Sequence, residues 1–285
     1  FLPHFEKMLY DQAMNSMAYI EAYHITKNEE YAEIAKEIFS YVLRDLKYEK
    51  GGFFSAEDAD SEGQEGTFYL WTEKELFKIL GEKDGSVISK IYGFSKAGNF
   101  LDEASGKRNG GNIPYLSKSK SMLAKEIKVK LNELNNILES SRKKLFEKRK
   151  ERIHPLKDDK ILTDWNGLMI ASLAQGGMVL NNEQYIKEAI SASDFIHQYL
   201  QRNDGRLVKR YRQGHSGLDP HINDYSFMIW GLINLYEATF ETIYLSRALK
   251  LTEVMIEDFY EKNGGFYIGS KNAEKLMVRA KDYYD

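Results

Sequence analysis

Hydrophobic and polar positions recur along this chain in three similar segments, and each segment predicts one amphipathic helix. The segments begin at Tyr31, Tyr185 and Tyr244, and in each of them a glycine follows 20 residues later. Small or apolar residues stand 4, 11 and 15 positions after each tyrosine, which places them on one face of an α-helix. The opposite face is charged. We expect the glycine to end the helix in the left-handed conformation that glycine adopts without strain.

A second, more apolar helix is predicted before each of these, over Asp11–Thr26, Asp164–Leu180 and Asp224–Thr239. Its residues are apolar nearly all round, as in Leu168–Ala174, and a helix without a polar face is expected to be buried. Each repeat is therefore predicted to be a buried inner helix followed by an amphipathic outer helix. The segment after each outer helix, at 51–53 in the first repeat, predicts a short strand or turn.

The residues between the first two repeats predict other elements. Thr72 and Glu75 have the spacing of a capping box at a helix start, and the polar stretch Ser117–Lys150 predicts a long solvated helix. The region Asn99–Asn112 is rich in glycine and asparagine and predicts a loop. The spacing between the repeats leaves room for a further hairpin plus an insertion.

These elements predict an all-α fold, an (α/α)6-type toroid of helix hairpins that is incomplete and has short β-hairpins in the connections. A two-layer superhelix of the same units is the alternative. We interpret residues 1–285 as a single, partial toroid domain, with a loop insertion at residues 94–116. A closed ring of six hairpins needs ~350 residues at this repeat length. We therefore expect the chain, which begins at Phe1, to be a piece of a longer protein.

The composition narrows the classes of function. The chain has no cysteine, which excludes disulfides and cysteine-ligated zinc, and we expect a reducing, cytoplasmic location. A formal net charge of −3, with no aromatic series among the basic residues, argues against nucleic acid as a partner. No stretch approaches the ~18 apolar residues of a membrane span, so no membrane partner is expected. We expect no cofactor and no metal, because His215 and His221 lack a supporting pattern of ligands.

Four longer motifs carry a resemblance to a known family. They are the segments at 4–12, 51–61, 158–168 and 223–227, which read HFEKMLYDQ, GGFFSAEDADS, DDKILTDWNGL and NDYSF. In this order they resemble the spermatogenesis-associated protein 20 family, whose bacterial and archaeal members are called thioredoxin-domain-containing proteins. The resemblance spans the whole chain and implies the six-hairpin, glycosidase-like domain of that family. It also implies a thioredoxin-like domain in the same full-length chain, and a fold similar to N-acylglucosamine 2-epimerases, cellobiose epimerases and inverting glycosidases.

The strongest candidates for chemistry are the acids that open the inner helices, Asp11, Asp164 and Asp224. If the repeats are equivalent, all three lie at one end of the ring, around the mouth of a central cavity. One interpretation makes each of them a helix N-cap, a position that aspartate favours. The other makes them catalytic acids and bases at a concave site, as glycoside chemistry requires.

Three histidines, His4, His154 and His221, each precede an inner helix and are expected to share its rim. Histidine is suited to general acid–base catalysis at a sugar carbon, because its pKa lies near neutrality. We place His4 among the catalytic residues and His221 among those that bind substrate. The alternative for each is a polar loop or cap residue.

Further substrate-binding residues are predicted beside the acids, in the shared motifs or on an adjacent strand. They are Glu57, Asp58, Asp60, Trp165, Asn166, Tyr225, His221 and Arg212. An aromatic ring beside a carboxylate suits a sugar, and an arginine can bind an anionic group. The alternatives are packing for the aromatic residues, a cap and turn for the acidic cluster, and an outward-facing strand for the arginine. Asp159 and Lys160 are expected to form a local ion pair.

Two main classes of function follow. In the first, the chain acts on or binds a small-molecule or oligosaccharide ligand, as an epimerase, an isomerase or a hydrolase. It should then have at least one carboxylate whose pKa is raised by burial. In the second, it is a non-catalytic scaffold that binds a glycan or a protein, and its acids are consumed by caps and ion pairs. A zinc-dependent enzyme on the same fold is a weaker third option, which the missing cysteines disfavour.

Overall fold

The computed structural model describes residues 3–101, 106–274 and 277–281 of the chain. In chain order its α-helices are α1 (Leu9–Thr26), α2 (Glu29–Tyr41), α3 (Glu73–Ile91), α4 (Lys120–Glu126), α5 (Leu131–Arg149), α6 (Thr163–Val179), α7 (Glu183–Tyr199), α8 (Ile222–Thr239) and α9 (Thr242–Phe259), and a π-helical turn (Val42–Leu46) continues α2. Its strands are β1 (Lys7–Met8), β2 (Ala56–Glu57), β3 (Asp60–Ser61), β4 (Gln64–Glu65), β5 (Trp71–Thr72), β6 (Gly111–Asn112), β7 (Lys157–Asp158), β8 (Ile161–Leu162), β9 (Arg210–Arg212) and β10 (His215–Gly217).

The chain divides into two compact units. The hairpin unit consists of Lys7–Glu57 and Lys157–Asp285, and the inserted unit consists of Phe1–Glu6 and Asp58–Leu156. The repeated helix pairs all lie in the hairpin unit. The interpretation of the chain as a single toroid domain stays a prediction.

The hairpin unit is built from the pairs α1–α2, α6–α7 and α8–α9, and in each pair the two helices pack against each other. The inner helix α6 lies between α1 and α8. α6 is buried along nearly its whole surface, as its sequence predicts. α1 and α8 are not buried all round, since Met14 is 47 % and Trp230 is 40 % exposed. In the described residues each of these two helices has an inner helix on one side only, which leaves its other side open.

The further hairpin expected between the first two repeats is not present in the hairpin unit. α1 packs directly against α6, and the buried hydroxyls of Ser16 and Ser172 are 2.6 Å apart at this contact. The residues between α2 and α6 form most of the inserted unit instead.

The predicted repeat is confirmed, but its glycine does not end the outer helix. α7 ends at Tyr199 and α9 ends at Phe259, several residues before the glycine. The glycine instead takes a positive φ in a tight turn, where its lack of a Cβ removes the strain. These φ angles are 98° at Gly51, 85° at Gly205 and 100° at Gly264.

The chain after each turn returns to the start of its own inner helix. Antiparallel bridges close the turns at Lys47–Phe53, Gln201–Leu207 and Tyr260–Phe266. Two residues further on, a carbonyl accepts a hydrogen bond from the first N–H of the inner helix. The pairs are Leu9 N to Ser55 O at 2.8 Å, Thr163 N to Lys209 O at 3.0 Å and Ile222 N to Ile268 O at 2.9 Å. In each repeat, the segment after the turn is therefore hydrogen-bonded to the start of its own inner helix at equivalent positions.

Two small sheets connect the hairpins, in the orders β1-β2-β7 and β10-β9-β8, and all their pairings are antiparallel. The strand β8 runs directly into α6 and pairs with β9, so that Leu162 lies opposite Arg210. This pairing brings the residue that precedes β9, Lys209, to the start of α6. The short strand pairs predicted for the connections are therefore present.

In the inserted unit, the capping box at the start of α3 is confirmed. Thr72 N donates to Glu75 Oε2 at 2.8 Å, and Glu75 N donates to Thr72 Oγ1 at 3.2 Å. The helix extends to Ile91 with a kink at Gly81, whose φ is 76°. The long helix predicted over Ser117–Lys150 is wrong in one respect, because residues 127–130 separate α4 from α5.

The loop predicted in the inserted unit is partly structured. Within residues 94–116, β6 pairs with β5, and the buried amide of Asn112 donates to Trp71 O at 3.2 Å and accepts from Ser95 N at 2.9 Å. Residues 102–105 of the predicted loop lie outside the described residues. A core of aliphatic side chains from α3, α4 and α5, centred on Leu76, Ile88 and Leu134, holds these helices together.

Two glycines allow a close crossing of α6 and α8 in the hairpin unit. A Cβ on Gly167 would lie 2.5 Å from the carbonyl carbon of Phe227, and one on Gly231 would lie 2.8 Å from the carbonyl oxygen of Gly167. Both distances are shorter than any relaxed carbon contact, so side chains there would separate the helices. The crossing therefore sets the spacing of the residues at the two helix starts.

We expect Gly167→Ala to lower the free energy of unfolding by about 1–3 kcal/mol, the usual cost of overpacking. Alanine normally stabilises a helix relative to glycine, so a loss would point to the crossing itself. Urea denaturation measures the change. Gly217→Ala is the matched control, since a Cβ there meets nothing within 4 Å. Equal stabilities for the two variants would mean that the helices can separate without cost.

Candidate functional site

The inner helices of the hairpin unit begin at the same end. The ring of Tyr10 in the first turn of α1 packs edge-on against that of Trp165 in α6, with centroids 4.9 Å apart. Asp164 N at the start of α6 donates to Asp224 Oδ1 at the start of α8, at 3.1 Å. The acids that open the inner helices are therefore on one side of the unit.

None of these aspartates is an N-cap, so that interpretation is wrong. The N-cap positions are held by Met8, Leu162 and His221. The strands β1 and β8 run straight into α1 and α6, and each helix therefore begins before its aspartate. Each acid lies in the first turn, where a carboxylate still favours the positive end of the helix dipole.

Asp164 and Asp224 meet at a third residue, Lys209, which the sequence patterns did not predict as part of the site. Its Nζ lies 2.5 Å from Asp164 Oδ2 and 3.5 Å from Asp224 Oδ1. The side chain of Lys209 is 20 % exposed, that of Asp164 is 8 % exposed, and that of Asp224 is fully buried. These three side chains, the Lys209 cluster, form a short path of charged groups from the surface into the protein.

Backbone N–H groups also donate hydrogen bonds to both carboxylates of the Lys209 cluster. Asp164 Oδ1 accepts from Trp165 N at 2.9 Å. Asp224 Oδ2 accepts from His221 N at 2.8 Å, and its Oδ1 accepts from Asp164 N. One buried carboxylate therefore takes hydrogen bonds from the starts of two different helices.

Burial and charge shift the proton equilibria of the cluster. Burial raises the pKa of Asp224 from 3.8 to about 7, with a further contribution from the Asp164 carboxylate, while Lys209 and the backbone N–H groups act in the opposite sense. Burial opposes the charge of Lys209, but Asp224 and Asp164 outweigh it and raise the pKa of that ammonium. With one cation for two acids, the cluster favours a proton on its deepest carboxyl.

His221 lies beside the cluster, since its backbone N–H donates to Asp224. Burial lowers the pKa of its imidazole, the Lys209 cation lowers it further, and Asp164 partly compensates. At neutral pH the ring therefore favours its uncharged form, which can both donate and accept a hydrogen bond.

Two of the predicted substrate-binding residues point into the core. The amide of Asn166 is fully buried, accepts from Phe53 N at 2.8 Å and donates to the carbonyls of Phe53 and Leu162 at 3.0 and 2.8 Å. The hydroxyl of Tyr225 accepts from Leu207 N at 3.0 Å, and burial raises the pKa of this phenol to about 12. Both residues hold the turn segments in place, and neither has exposed surface for a ligand.

Asp11 and Glu57, also in the hairpin unit, are not part of the Lys209 cluster. Asp11 is exposed in the first turn of α1. Glu57 is buried in β2 and accepts a hydrogen bond from the hydroxyl of Tyr41 at 2.6 Å.

Arg212 and its neighbours form ion pairs different from the expected ones. Arg212 Nε lies 2.5 Å from Asp159 Oδ1, and Lys160 Nζ lies 2.7 Å from Asp158 Oδ2. The expected pair of Asp159 with Lys160 is wrong, because the alternation of β7 and the following turn directs the two side chains to different partners. With its side chain half exposed, Arg212 remains accessible at the surface.

The remaining candidates lie in the inserted unit. His4 is exposed, with its Nε2 3.5 Å from Glu6 Oε2. Asp58 and Asp60 are exposed, and Asp58 Oδ1 accepts from Asp60 N at 3.2 Å, which is the turn geometry offered as the alternative for these acids. The ring of His154 packs against Phe68, with centroids 4.6 Å apart.

One sequence signal could have located Lys209. It follows the repeat glycine by four positions, where the first and third repeats have Ser55 and Ile268. All three residues return to the start of an inner helix through the same backbone hydrogen bond. A charged lysine at a position where the other repeats have serine and isoleucine indicates that its ammonium pairs with an acid.

Neither a membrane-spanning helix nor a cluster of metal ligands is present in the described part of the chain. Its helices include none that is both long and apolar enough to cross a bilayer. No group of three or more histidine, aspartate or glutamate side chains in it could hold a metal ion.

Comparison with known proteins places the chain among named relatives, although no family model matches it. It is 36 % identical over its whole length to spermatogenesis-associated protein 20 of Homo sapiens and 35 % identical to that of Rattus norvegicus. In both cases the chain covers 40 % of the relative. The resemblance drawn from the four motifs is thus confirmed.

Solved structures share its fold at low sequence identity. Cellobiose 2-epimerase from Spirochaeta thermophila matches 96 % of this chain and 48 % of its own, with a TM-score of 0.55 and 11 % identity. Unsaturated glucuronyl hydrolase from Bacillus sp. GL1 matches 94 % of this chain and 54 % of its own, with a TM-score of 0.52 and 12 % identity. The family 76 glycoside hydrolase (mannosidase) Bt3792 from Bacteroides thetaiotaomicron matches 90 % and 46 %, with a TM-score of 0.50 and 10 % identity.

These matches confirm the predicted fold class, an incomplete (α/α)6-type arrangement of helix hairpins with short strand pairs in the connections. The chain is a homologue, over its entire length, of the spermatogenesis-associated protein 20 proteins, and it spans about 40 % of their length.

Proposed function

We propose that this chain binds and processes a carbohydrate, with the Lys209 cluster at the centre of its site. The observation that carries the proposal is the meeting of Asp164 and Asp224, from two adjacent inner helices, at the Nζ of Lys209. A buried acid with a near-neutral pKa beside an accessible cation is an arrangement typical of proton-transfer sites.

The exposures assign different tasks to the three groups. The side chain of Lys209 is 20 % exposed and that of Asp164 only 8 %, so the ammonium is available to a sugar hydroxyl and the carboxylate lies directly behind it. Asp224 is fully buried and touches no ligand in this arrangement. We assign it to positioning the other two and to storing a proton. Trp165 and His221, beside the cluster, would extend the contact surface.

The distances favour an epimerase or isomerase over an inverting hydrolase. Because Asp164 Oδ2 and Asp224 Oδ1 lie 2.5 and 3.5 Å from the same nitrogen, they can be no more than 6.0 Å apart. Inverting glycosidases separate their two carboxyl groups by ~6.5–9.5 Å to admit a water molecule. The Lys209 ammonium also contacts both oxygens. Proton exchange at a carbon beside a carbonyl needs only one well-placed base.

The structural relatives support a carbohydrate as the ligand class. The solved proteins with this fold include an epimerase that acts on cellobiose and two glycoside hydrolases. We further propose that the full-length protein carries a thioredoxin-like domain and acts in the cytoplasm. The rest of that protein, which this chain does not span, would complete the site.

A second candidate function is a non-catalytic scaffold that holds a glycan or a protein. One observation favours it: both carboxylate oxygens of Asp164 and both of Asp224 accept hydrogen bonds from within the protein. Such a cluster can be a purely structural connection between α6 and α8. The two functions differ in whether the cluster exchanges protons with a bound sugar.

The proton stored on Asp224 has a measurable effect on stability. Its folded-state pKa of about 7 exceeds the ordinary 3.8, so the folded state binds the proton more tightly than the unfolded chain. The resulting stabilisation is complete below about pH 4 and is lost as the pH rises through 7. We expect wild type to lose on the order of a few kcal/mol relative to Asp224→Asn between pH 4 and 8.

Urea denaturation at a series of pH values measures this difference. Asp11→Asn is the matched control, because Asp11 holds the equivalent repeat position and is exposed. The stability difference between wild type and that control should stay flat over the same range. An equally flat difference for Asp224→Asn would show that this carboxyl ionises normally and stores no proton.

For activity, we expect the full-length protein to exchange the C2 hydrogen of a reducing sugar for deuterium in D2O, followed by proton NMR. The panel contains glucose, mannose, N-acetylglucosamine and cellobiose. Asp164→Asn and Lys209→Gln should lower the rate by about 100-fold or more, the usual effect of losing an acid–base group. Asp224→Asn should instead shift the pH profile.

Lys187→Gln is the control, since Lys187 is exposed on the outer helix α7 and pairs with Glu183 there. Thermal unfolding checks that each variant is folded. Release of reducing sugar from oligosaccharides without C2 exchange would indicate a hydrolase. Retention of a glycan on an array, without either reaction, would favour the scaffold, and no reaction or binding at all would overturn the carbohydrate proposal.

A further inference from the structure

A separate cavity of about 160 Å³ lies in the hairpin unit, between the outer helices α7 and α9 and above the inner helix α8. Its walls include the aliphatic side chains of Ile196, Leu207, Met228, Leu232 and Leu251. No residue of the Lys209 cluster lines it. A cavity of this size can hold a molecule of about six carbon atoms, as a cavity of ~150 Å³ holds benzene.

One hydroxyl in the wall of this cavity has no partner. Ser193 is fully buried in α7, and its Oγ makes no hydrogen bond with any described residue. A buried polar atom left in this state costs about 1–3 kcal/mol, so such atoms are normally paired. The accessible area of this oxygen is below 1 Å², so a ligand in the cavity does not reach it and the unpaired hydroxyl remains a cost to the fold.

The mouth of the cavity is cationic. Arg247 and Lys250 line it from α9, and no aspartate or glutamate is among the residues that line it. Arg247 Nη1 donates to Asp194 at 2.8 Å, which holds the guanidinium in place. Lys250 is exposed and forms no ion pair within the part of the chain that the structure describes. A negative charge at the mouth would be attracted mainly to Lys250, because Asp194 already pairs with Arg247.

We propose that this cavity binds a small amphiphilic anion, a carboxylate with a short aliphatic body. The body would fill the aliphatic interior, and the carboxylate would lie at the mouth near Lys250 and Arg247. No phenylalanine, tyrosine or tryptophan lines the cavity, so it lacks the broad stacking surface that favours a sugar. The site is therefore independent of the carbohydrate function proposed above.

Hexanoate is the probe, and the full-length protein with 13C-methyl-labelled methionine is the sample. The Met228 methyl group, assigned by its loss in Met228→Leu, reports on the cavity because Met228 lines it. We expect millimolar hexanoate to shift this signal in a saturable way. Hexanol and hexylamine, which have the same body but no negative charge, should bind more weakly.

Lys250→Gln should weaken hexanoate binding by about fivefold, the upper range for an exposed ion pair. Its matched control is Lys187→Gln, because Lys187 is exposed on α7 and does not line the cavity. Ser193→Ala should leave both hexanoate binding and the stability of the free protein undiminished, since the hydroxyl is not reached from the cavity and has no partner to lose.

The proposal is overturned if hexanoate leaves the Met228 signal unchanged, which would make the cavity an unoccupied packing defect. It is equally overturned if hexanol binds as tightly as hexanoate and Lys250→Gln has no effect, because the cavity would then select only apolar bodies. A shift that Lys187→Gln and Lys250→Gln reduce equally would indicate general charge attraction and no defined site.

Discussion

The fully buried carboxylate of Asp224 is the interaction on which the arrangement of this site depends. The first N–H groups of a helix have no partner within the helix, and they carry its positive dipole. Here one carboxylate accepts such groups from two helices, His221 N at the start of α8 and Asp164 N at the start of α6. The glycine crossing a turn further along keeps these helices close enough for both bonds to form. Two carboxylates held together away from water need a cation, and Lys209 supplies it.

Much of the hairpin architecture could be predicted from the sequence, because repeats report on equivalent packing. The tyrosine and alanine positions mark the buried faces of the outer helices, and Tyr185, Ala189 and Ala248 are indeed buried. The task of the glycine could not be predicted from its spacing, since a helix end and a tight turn both favour positive φ. The direct packing of the first repeat against the second, without a further hairpin between them, could not be predicted either. The contact of α1 with α6 joins residues far apart in sequence.

The site was only partly predictable for a similar reason. The equivalence of the repeats placed three acids at one end of the unit, but it could not distinguish exposed Asp11 from buried Asp224. Since α1 and α8 each have an inner neighbour on one side only, the difference arises from the position of the acid itself: Asp224 lies against the start of α6 and against Lys209. The motif residues Asn166 and Tyr225 hold turns together. A shared motif can thus record a structural task as readily as a chemical one.

The pairing of β2 with β7 has a consequence for how this protein can change in evolution. Ala56 lies opposite Asp158, so the chain leaves the hairpin unit at one strand and re-enters it at the strand's immediate neighbour. Everything between these strands is topologically a single excursion, whose closure entropy rises by only ~0.6 kcal/mol for each doubling of its length. Segments of very different size, or a different small domain, could therefore be exchanged at this point while α1 and α6 keep their contact.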